Sequence, residues 1–230
     1  MIEFKSVSKI YHQGQIALQN ISFKVSPGEF VYLTGHSGAG KTSLLQLIAV
    51  IERASIGQIL FNGQDITDIS LKRIPLLRRR IGMIFQDHHL MMNRTVAENV
   101  ALPLLIRDYA EEETVELVRQ ALEKVGLKNK EEYYPSYLST GEQQRVGIAR
   151  AIVARPDVIL ADEPTGNLDK GLSLDILALF ERLHQDGTTV IMASHDIDLL
   201  ATGPHRTLVL NQGHLTYDGE FGQYQWDFKR

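Results

Sequence analysis

The 230-residue chain is 43% hydrophobic, balances 24 Lys and Arg against 28 Asp and Glu, and contains no cysteine. That size supports one substantial core with room for a smaller lobe, the net charge of −4 lacks the basic excess of a general nucleic-acid binder, and the absence of thiols excludes disulfides and thiolate metal sites. The start, Met1-Ile2-Glu3-Phe4-Lys5-Ser6, lacks the basic and apolar segments of a secretory leader, and no apolar run approaches the roughly 20 residues of a membrane helix, so a membrane span is expected only from another chain.

Short β-like runs open the sequence at 2–7 and 21–25, and after the Pro27-Gly28 break another follows at 30–34. Residues 42–52 are dense in Leu and Ile and long enough for a buried helix. Further β runs are expected at 59–61, ended by Asn62-Gly63, and at 81–85. From about 87 to 137 the character changes: Val115, Val118, Leu122 and Val125 recur at helical spacing between charges, which predicts a helical lobe. Beyond it, helix is expected at 142–154, strand at 158–161, helix at 173–185 and strand at 188–193. This alternation predicts an α/β fold with a parallel sheet and crossover helices. Two short runs, 207–210 and 214–217, turn at Gln212-Gly213. No internal repeat or low-complexity linker is present.

Gly35-His36-Ser37-Gly38-Ala39-Gly40-Lys41-Thr42 fits G-x-x-x-x-G-K-[ST] and lies between a predicted strand and a predicted helix, the context this phosphate-binding pattern requires. Its glycines allow backbone N–H groups to curl around phosphates, Lys41 neutralises β- and γ-phosphate charge, and the Thr42 hydroxyl suits Mg²⁺. In Val158-Ile159-Leu160-Ala161-Asp162-Glu163, an apolar strand runs into two carboxylates; beside a phosphate loop, Asp162 suits the metal and Glu163 can polarise an attacking water. Taken alone, acidic residues after a buried strand are commonplace. Ser139 and Glu142 have capping-box spacing; the same helix start also presents N–H groups to an anion, and spacing alone leaves both readings open.

The order of residues 35–42, Gln86, 138–143, 158–163, Asp169 and His195 resembles the ABC ATPases along essentially the whole chain. The resemblance implies a single ABC domain over 1–230: a P-loop, RecA-like parallel core, an antiparallel β subdomain, and a helical subdomain at about 87–137. It further implies ATP and Mg²⁺ as cofactors and hydrolysis of ATP to ADP and phosphate. Tyr11 resembles the aromatic that stacks on adenine, Ser43 extends the loop's hydroxyl pair, Gln86 resembles the glutamine that reaches Mg²⁺ and water, and His195 resembles the histidine that contacts the γ-phosphate. Asp169 falls in the loop that crosses to a partner subunit, and Ser139, Gly141 and Glu142 in the signature that faces the ATP of a second copy, so a homodimer on ATP binding is implied. One departure stands out: the common Ser-Gly-Gly is Ser139-Thr140-Gly141 here.

Residues 35–41, 82–90 and 164–169 look most like the cell-division branch of the family, with lipoprotein-release and macrolide-export ATPases as the alternative. That branch implies an integral membrane partner of the FtsX type docking near 87–106, control of peptidoglycan hydrolysis at the septum, contact with division-ring proteins, no nucleic acid, and a place at the cytoplasmic face of the bacterial inner membrane. His88 and His89, adjacent in an extended segment, make a poor metal pair. Arg78-Arg79-Arg80 is read as a solvated basic face. The aromatic tail, Phe221, Tyr224, Trp226 and Phe228, either folds back or meets a partner.

Overall fold

The computed structural model describes residues 1–223 and, at Gln13, the backbone alone. In chain order its elements are β1 (Ile2–Ile10), β2 (Ile16–Val25), β3 (Phe30–Thr34), α1 (Lys41–Ile48), β4 (Ile56–Phe61), β5 (Gln64–Asp65), α2 (Ile74–Arg78), β6 (Ile81–Ile84), α3 (Val96–Leu105), α4 (Glu111–Lys124), α5 (Thr140–Ile152), β7 (Val158–Asp162), α6 (Lys170–Gln185), β8 (Thr189–Ala193), α7 (Ile197–Leu200), β9 (Arg206–Asn211) and β10 (His214–Glu220). Two sheets form, a four-stranded one in the order β2-β1-β4-β5 and a six-stranded one in the order β10-β9-β3-β8-β7-β6. The pairs within the first are antiparallel. In the second, β9, β3, β8, β7 and β6 run parallel and β10 closes the edge antiparallel.

Side-chain alternation along the central strands explains the layering. Phe30 and Tyr32 of β3, Ile159 and Ala161 of β7, and Val190 and Met192 of β8 join one buried cluster with α3 to α6. Val31 and Leu33, Leu160, Ile191 and Ala193 point to the opposite face and join a second cluster with α1 and the antiparallel sheet. Covered on both sides, β3, β7 and β8 are uninterrupted apolar runs, as buried parallel strands are. Buried residues of α3 and α4 share the first cluster with the sheet, so the helical segment is packed onto the core and not held apart from it.

The structure extends several expected elements and shortens others, α1 the most. β1 continues past Val7 because Ser6 adopts a left-handed φ of 49° and the register shifts between Phe4 and Val7. That bulge reverses the inward parity, so Ile2 and Phe4 are buried on one side of it and Val7 and Lys9 on the other. Helix α1 stops at Ile48 instead of reaching 52: Val50 turns to φ 51°, and the Ile51 N–H donates to Gln46 O at 2.9 Å, a helix-ending bond. In Arg78-Arg79-Arg80, Arg78 and Arg80 are exposed, as a solvated face requires, yet each of the three guanidinium groups also has an acceptor. Arg78 donates to the carbonyls of Ala49 and Val50 (3.1 and 2.8 Å), Arg79 to that of Ile106 (3.0 Å), and Arg80 pairs with Asp157. Phe221 packs against the core, whereas Tyr224, Trp226 and Phe228 lie outside the described residues.

The segment before α3 is fixed by one side chain. Thr95 and Glu98 make a capping box. Asn99, fully buried, accepts from the Met91 N–H (2.8 Å) and donates to the carbonyls of Met91 (3.0 Å), Arg94 (3.3 Å) and Thr95 (2.9 Å). Replacing it deprives the Met91 N–H and the Arg94 carbonyl of this partner, while Met91 O and Thr95 O keep the N–H groups of Arg94 and Asn99. Asn99→Ala is expected to reduce the unfolding free energy by about 2 kcal/mol, read as a lower urea midpoint at unchanged m-value.

Candidate functional site

Three neighbouring strands deliver the candidate residues to one edge. The 35–40 loop follows β3, Asp162 ends β7, and Ser194 and His195 follow β8. Because Leu33 and Asp162 both pair with Ala193, the three chains leave the sheet side by side. The Ser194 N–H donates to Leu33 O and the Glu163 N–H to Ala193 O, each at 3.0 Å, which carries the pairing one residue beyond the strands.

The loop is shaped for its glycines. A Cβ on Gly35 would stand 2.2 Å from Leu210 O, and one on Gly40 would stand 2.5 Å from Ala17 O, with φ values of 145° and 107° that side chains rarely tolerate. Gly40 also precedes α1 without any side-chain cap, so the first N–H groups of α1 are left for another acceptor. Buried Lys41 donates to Gly35 O (2.8 Å) and His36 O (3.3 Å) and stands 3.5 Å from Glu163 Oε1. On its other side Glu163 Oε2 meets His195 Nδ1 at 2.9 Å. Lys41, Glu163 and His195 thus form a continuous line of contacts. Glu163 itself adopts φ 48°, a left-handed conformation costing about 1–3 kcal/mol, of the kind that gathers at functional sites.

Asp162 is buried, and its Oδ1 has no hydrogen-bond partner among the described residues. Burial raises its pKa above the ordinary carboxylate value; the Thr42 hydroxyl bonds to the carboxyl and opposes that rise, the charge of Glu163 adds to it, and Lys41 opposes it. Gln86 approaches from the end of β6: a Cβ built on Gly166 would lie 3.6 Å from Glu163 Oε2 and 3.7 Å from Gln86 Nε2, so both side chains converge over that glycine. Tyr11 reaches the same helix start from the antiparallel sheet, its hydroxyl 3.1 Å from Ser43 Oγ and its ring under Lys9 Nζ at 4.6 Å from the centroid. His36, Ser37 and Gly38 are exposed on the loop, while Ala39 is buried beneath it.

Ser139, Gly141, Glu142 and Asp169 form a separate group. Ser139 Oγ accepts from the Glu142 N–H (3.3 Å), the Ser139 N–H donates to Glu142 Oε2 (2.9 Å), and Lys130 stands 3.3 Å from Glu142 Oε1. The Ser139 N–H, and after it the Ser139 hydroxyl and Lys130, hold the Glu142 carboxyl below its usual pKa against burial, which raises it. Asp169 caps α6 by accepting from the Leu172 N–H at 3.0 Å. Among the described residues, no hydrogen bond runs from this group to the 35–43 loop. Two contacts escape sequence reasoning. Leu172 covers Gly141, which no spacing rule reveals. A cleft of about 580 Å³ joins Glu163 and His195 to Lys170, Ser173 and Leu174 of α6 and to Thr202. His88 and His89 do not form a metal cluster with other acidic or histidine side chains among the described residues.

Residues 18–166 match the family model described as "ABC transporter". The chain is 56% identical over 215 residues to the cell division ATP-binding protein FtsE of Escherichia coli (strain K12), covering 94% of this chain and 97% of that protein. It is 53% identical over 218 residues to the protein of the same name from Haemophilus influenzae, covering 94% of this chain and 100% of that one. Among solved structures it is similar to the dimeric post-hydrolysis state of the ATP-binding cassette MJ0796 bound to ADP and Pi, with a TM-score of 0.88 at 32% identity, covering 97% of this chain and 100% of that one.

The Ser139 box stabilises α5 whether or not a ligand is present. Ser139→Ala is expected to lower the unfolding free energy of the nucleotide-free chain by about 1 kcal/mol, measurable in urea, and an unchanged midpoint would assign the hydroxyl to ligand contact alone.

Proposed function

The chain belongs to the ABC transporter family, and on that footing we propose that it is the ATP-hydrolysing subunit of a membrane complex serving bacterial cell division. The observation that carries the ATPase assignment is the convergence of Lys41, Asp162, Glu163 and His195 at the ends of three adjacent strands, beside a glycine loop and an uncapped helix start. The likeness to FtsE proteins over nearly the full length supports the cell-division role.

Phosphoryl transfer to water demands placement and charge neutralisation more than covalent chemistry. In the proposed site the 35–42 backbone N–H groups and the first turn of α1 bind the β- and γ-phosphates. Lys41 exchanges the carbonyls of Gly35 and His36 for phosphate oxygens. Glu163, released from Lys41, orients the attacking water and takes its proton, while His195 holds the γ-phosphate. Tyr11 borders the base. Thr42, Asp162 and Gln86 would hold Mg²⁺, which neutralises phosphate charge; the orphaned, buried Asp162 Oδ1 beside the Thr42 hydroxyl suits a cation. Ser139 and Gly141 stand in a separate group, which supports their service to the nucleotide of a second copy in a head-to-tail dimer, with Asp169 at the crossing.

No described helix is long and apolar enough to cross a membrane. Attachment through the helical segment is supported by a cleft of about 480 Å³ at the open edge of β6, lined by Ile81, Met83, Leu102, Pro103 and Ile106. Ile106 in its lining remains 67% exposed. Arg107 hydrogen-bonds the carbonyls of Ala154 and Arg79 across the gap, tying α3 to both neighbours. An integral membrane partner of the FtsX type docks here in this reading and places the chain at the cytoplasmic face of the inner membrane.

Two measurements test it. Glu163→Gln is expected to cut phosphate release at least about a hundredfold while ATP binding persists; near-normal turnover would remove Glu163 from its role. Ile106→Asp is expected to abolish co-purification of an integral membrane protein from detergent extracts at unchanged ATP affinity, and retained co-purification would move the docking surface elsewhere.

A further inference from the structure

Residues 69–86 carry five basic side chains, Lys72, Arg73, Arg78, Arg79 and Arg80, and no acidic one, in a chain whose net charge is −4. The stretch from Ser70 to Arg80 forms a helical ridge. The Ile74 N–H donates to Ser70 O at 3.3 Å, the Leu77 N–H to Arg73 O at 3.1 Å and the Arg79 N–H to Pro75 O at 3.1 Å, so the turns continue on both sides of α2. Ile74 and Leu77, three residues apart, mark its inward side: Leu77 is buried and Ile74 packs against the second buried cluster. The outward surface is mixed. Leu71 and Leu76 are 78% and 58% exposed, and Lys72, Arg73, Arg78 and Arg80 are exposed around them. Single exposed leucines are ordinary. Two on a ridge whose other exposed side chains are mostly basic make an amphipathic surface of the kind that lies at a lipid interface.

The hydrogen bonds of the ridge leave its charge in place. Arg78 and Arg79 donate to the carbonyls of Ala49, Val50 and Ile106, which are neutral acceptors. Among the described residues only Arg80 of the five stands in an ion pair, with Asp157. Pro75, Arg78 and Arg79 also line the cleft at the edge of β6, where Arg107 and Arg150 add two cations and no Asp or Glu answers them. We propose that the 71–80 ridge rests on the anionic phospholipid headgroups of a membrane. Leu71 and Leu76 enter the boundary between headgroups and acyl chains, and Lys72, Arg73 and Arg78 meet the phosphates. Charge and exposure carry this contact; its orientation rests on the docking reading above, because ridge and cleft share Pro75, Arg78 and Arg79, and a membrane-embedded partner seated in the cleft brings the ridge to the lipid. Nucleic acid offers the same phosphates but no apolar phase for the leucines. Screening beyond about 8 Å at physiological salt lets the patch act at contact despite the acidic chain. A ridge this short gives a weak, reversible contact that adds to the partner's hold.

The test is sedimentation of the purified full chain with vesicles of phosphatidylcholine, alone or mixed equally with phosphatidylglycerol, and with no membrane protein present. Wild type is expected to bind the mixed vesicles in preference to the neutral ones, and about 0.5 M salt should release it. Lys72→Glu combined with Arg73→Glu should weaken binding at least about tenfold. Leu71→Ser combined with Leu76→Ser should weaken it about fivefold while the preference for anionic vesicles persists. All four side chains are exposed, and ATP hydrolysis in vesicle-free solution, expected to match wild type, reports that the variants fold. Should charge reversal disturb the fold, Lys72→Gln with Arg73→Gln makes the same comparison. Equal binding to both vesicles, no binding, or wild-type binding by the charge-altered variant overturns the inference. Vesicle binding untouched by loss of both leucines, together with equal affinity for an oligonucleotide, assigns the patch to nucleic acid and overturns it too. Vesicles free of protein test the ridge alone, whereas co-purification of Ile106→Asp tests docking, so the two readings fail separately.

Discussion

The pairing of β3, β7 and β8 in one parallel register is the constraint from which the rest of the molecule follows. Parallel strands all emit their next loops at the same edge, so the glycine loop, the carboxylates at 162–163 and His195 have no other place to meet. The sheet must be covered on both faces to be stable, and the two buried clusters supply that cover, one from α1 and the antiparallel sheet and one from α3 to α6. Each cover has a second role. Helix α1 begins at the phosphate loop, and α5 and α6 begin at the surfaces read here as the dimer's. The packing that buries the sheet also aims three helix starts.

The nucleotide-free site fills itself. Lys41 is satisfied by two loop carbonyls and Glu163, and Glu163 by Lys41 and His195. A buried lysine without acceptors would be costly, so the loop supplies provisional ones that phosphate oxygens can replace. Asp162 differs: one oxygen stays orphaned and burial disfavours its charge. Lys41, Glu163 and His195 are provisionally paired, whereas Asp162 Oδ1 has no partner among the described residues, at the position proposed for a cation.

The central strands and the phosphate loop were legible because their signals are local. Four hydrophobic residues at 30–33 and Thr34, followed by a glycine pattern, leave little else to be. Residues 42–52 were misjudged at their end because hydrophobicity continues past Ile48 while the backbone reverses at Val50, an unusual left-handed valine that composition hides. Strand β1 was cut short because the bulge at Ser6 breaks the alternation on which a strand is recognised. The arginines 78–80 look like solvated charge in sequence, yet their acceptors are carbonyls 28 and 29 residues distant in the case of Arg78. Long-range satisfaction of this kind, like the Leu172 roof over Gly141, is a property of the assembled fold and has no spacing to betray it.

The start of α5 illustrates how local stability and composite chemistry share residues. Ser139 and Glu142 close a capping box that orders the helix with no ligand present. Thr140 stands at the first helical position and is exposed, so its Cβ meets no obstruction within the chain, and it restricts a backbone that glycine would leave freer. Gly141, one residue on, is buried, and a Cβ there would stand 3.3 Å from Leu172 Cδ1, which would have to shift by a few tenths of an ångström. The two positions of the family's glycine pair are thus unequal here. One is free to gain a side chain and stiffen the helix start; at the other an added side chain would press on Leu172. A stiffer start pays less ordering entropy when it closes on a nucleotide. In the proposed dimer, Thr140 would trade glycine's freedom for a preorganised helix start.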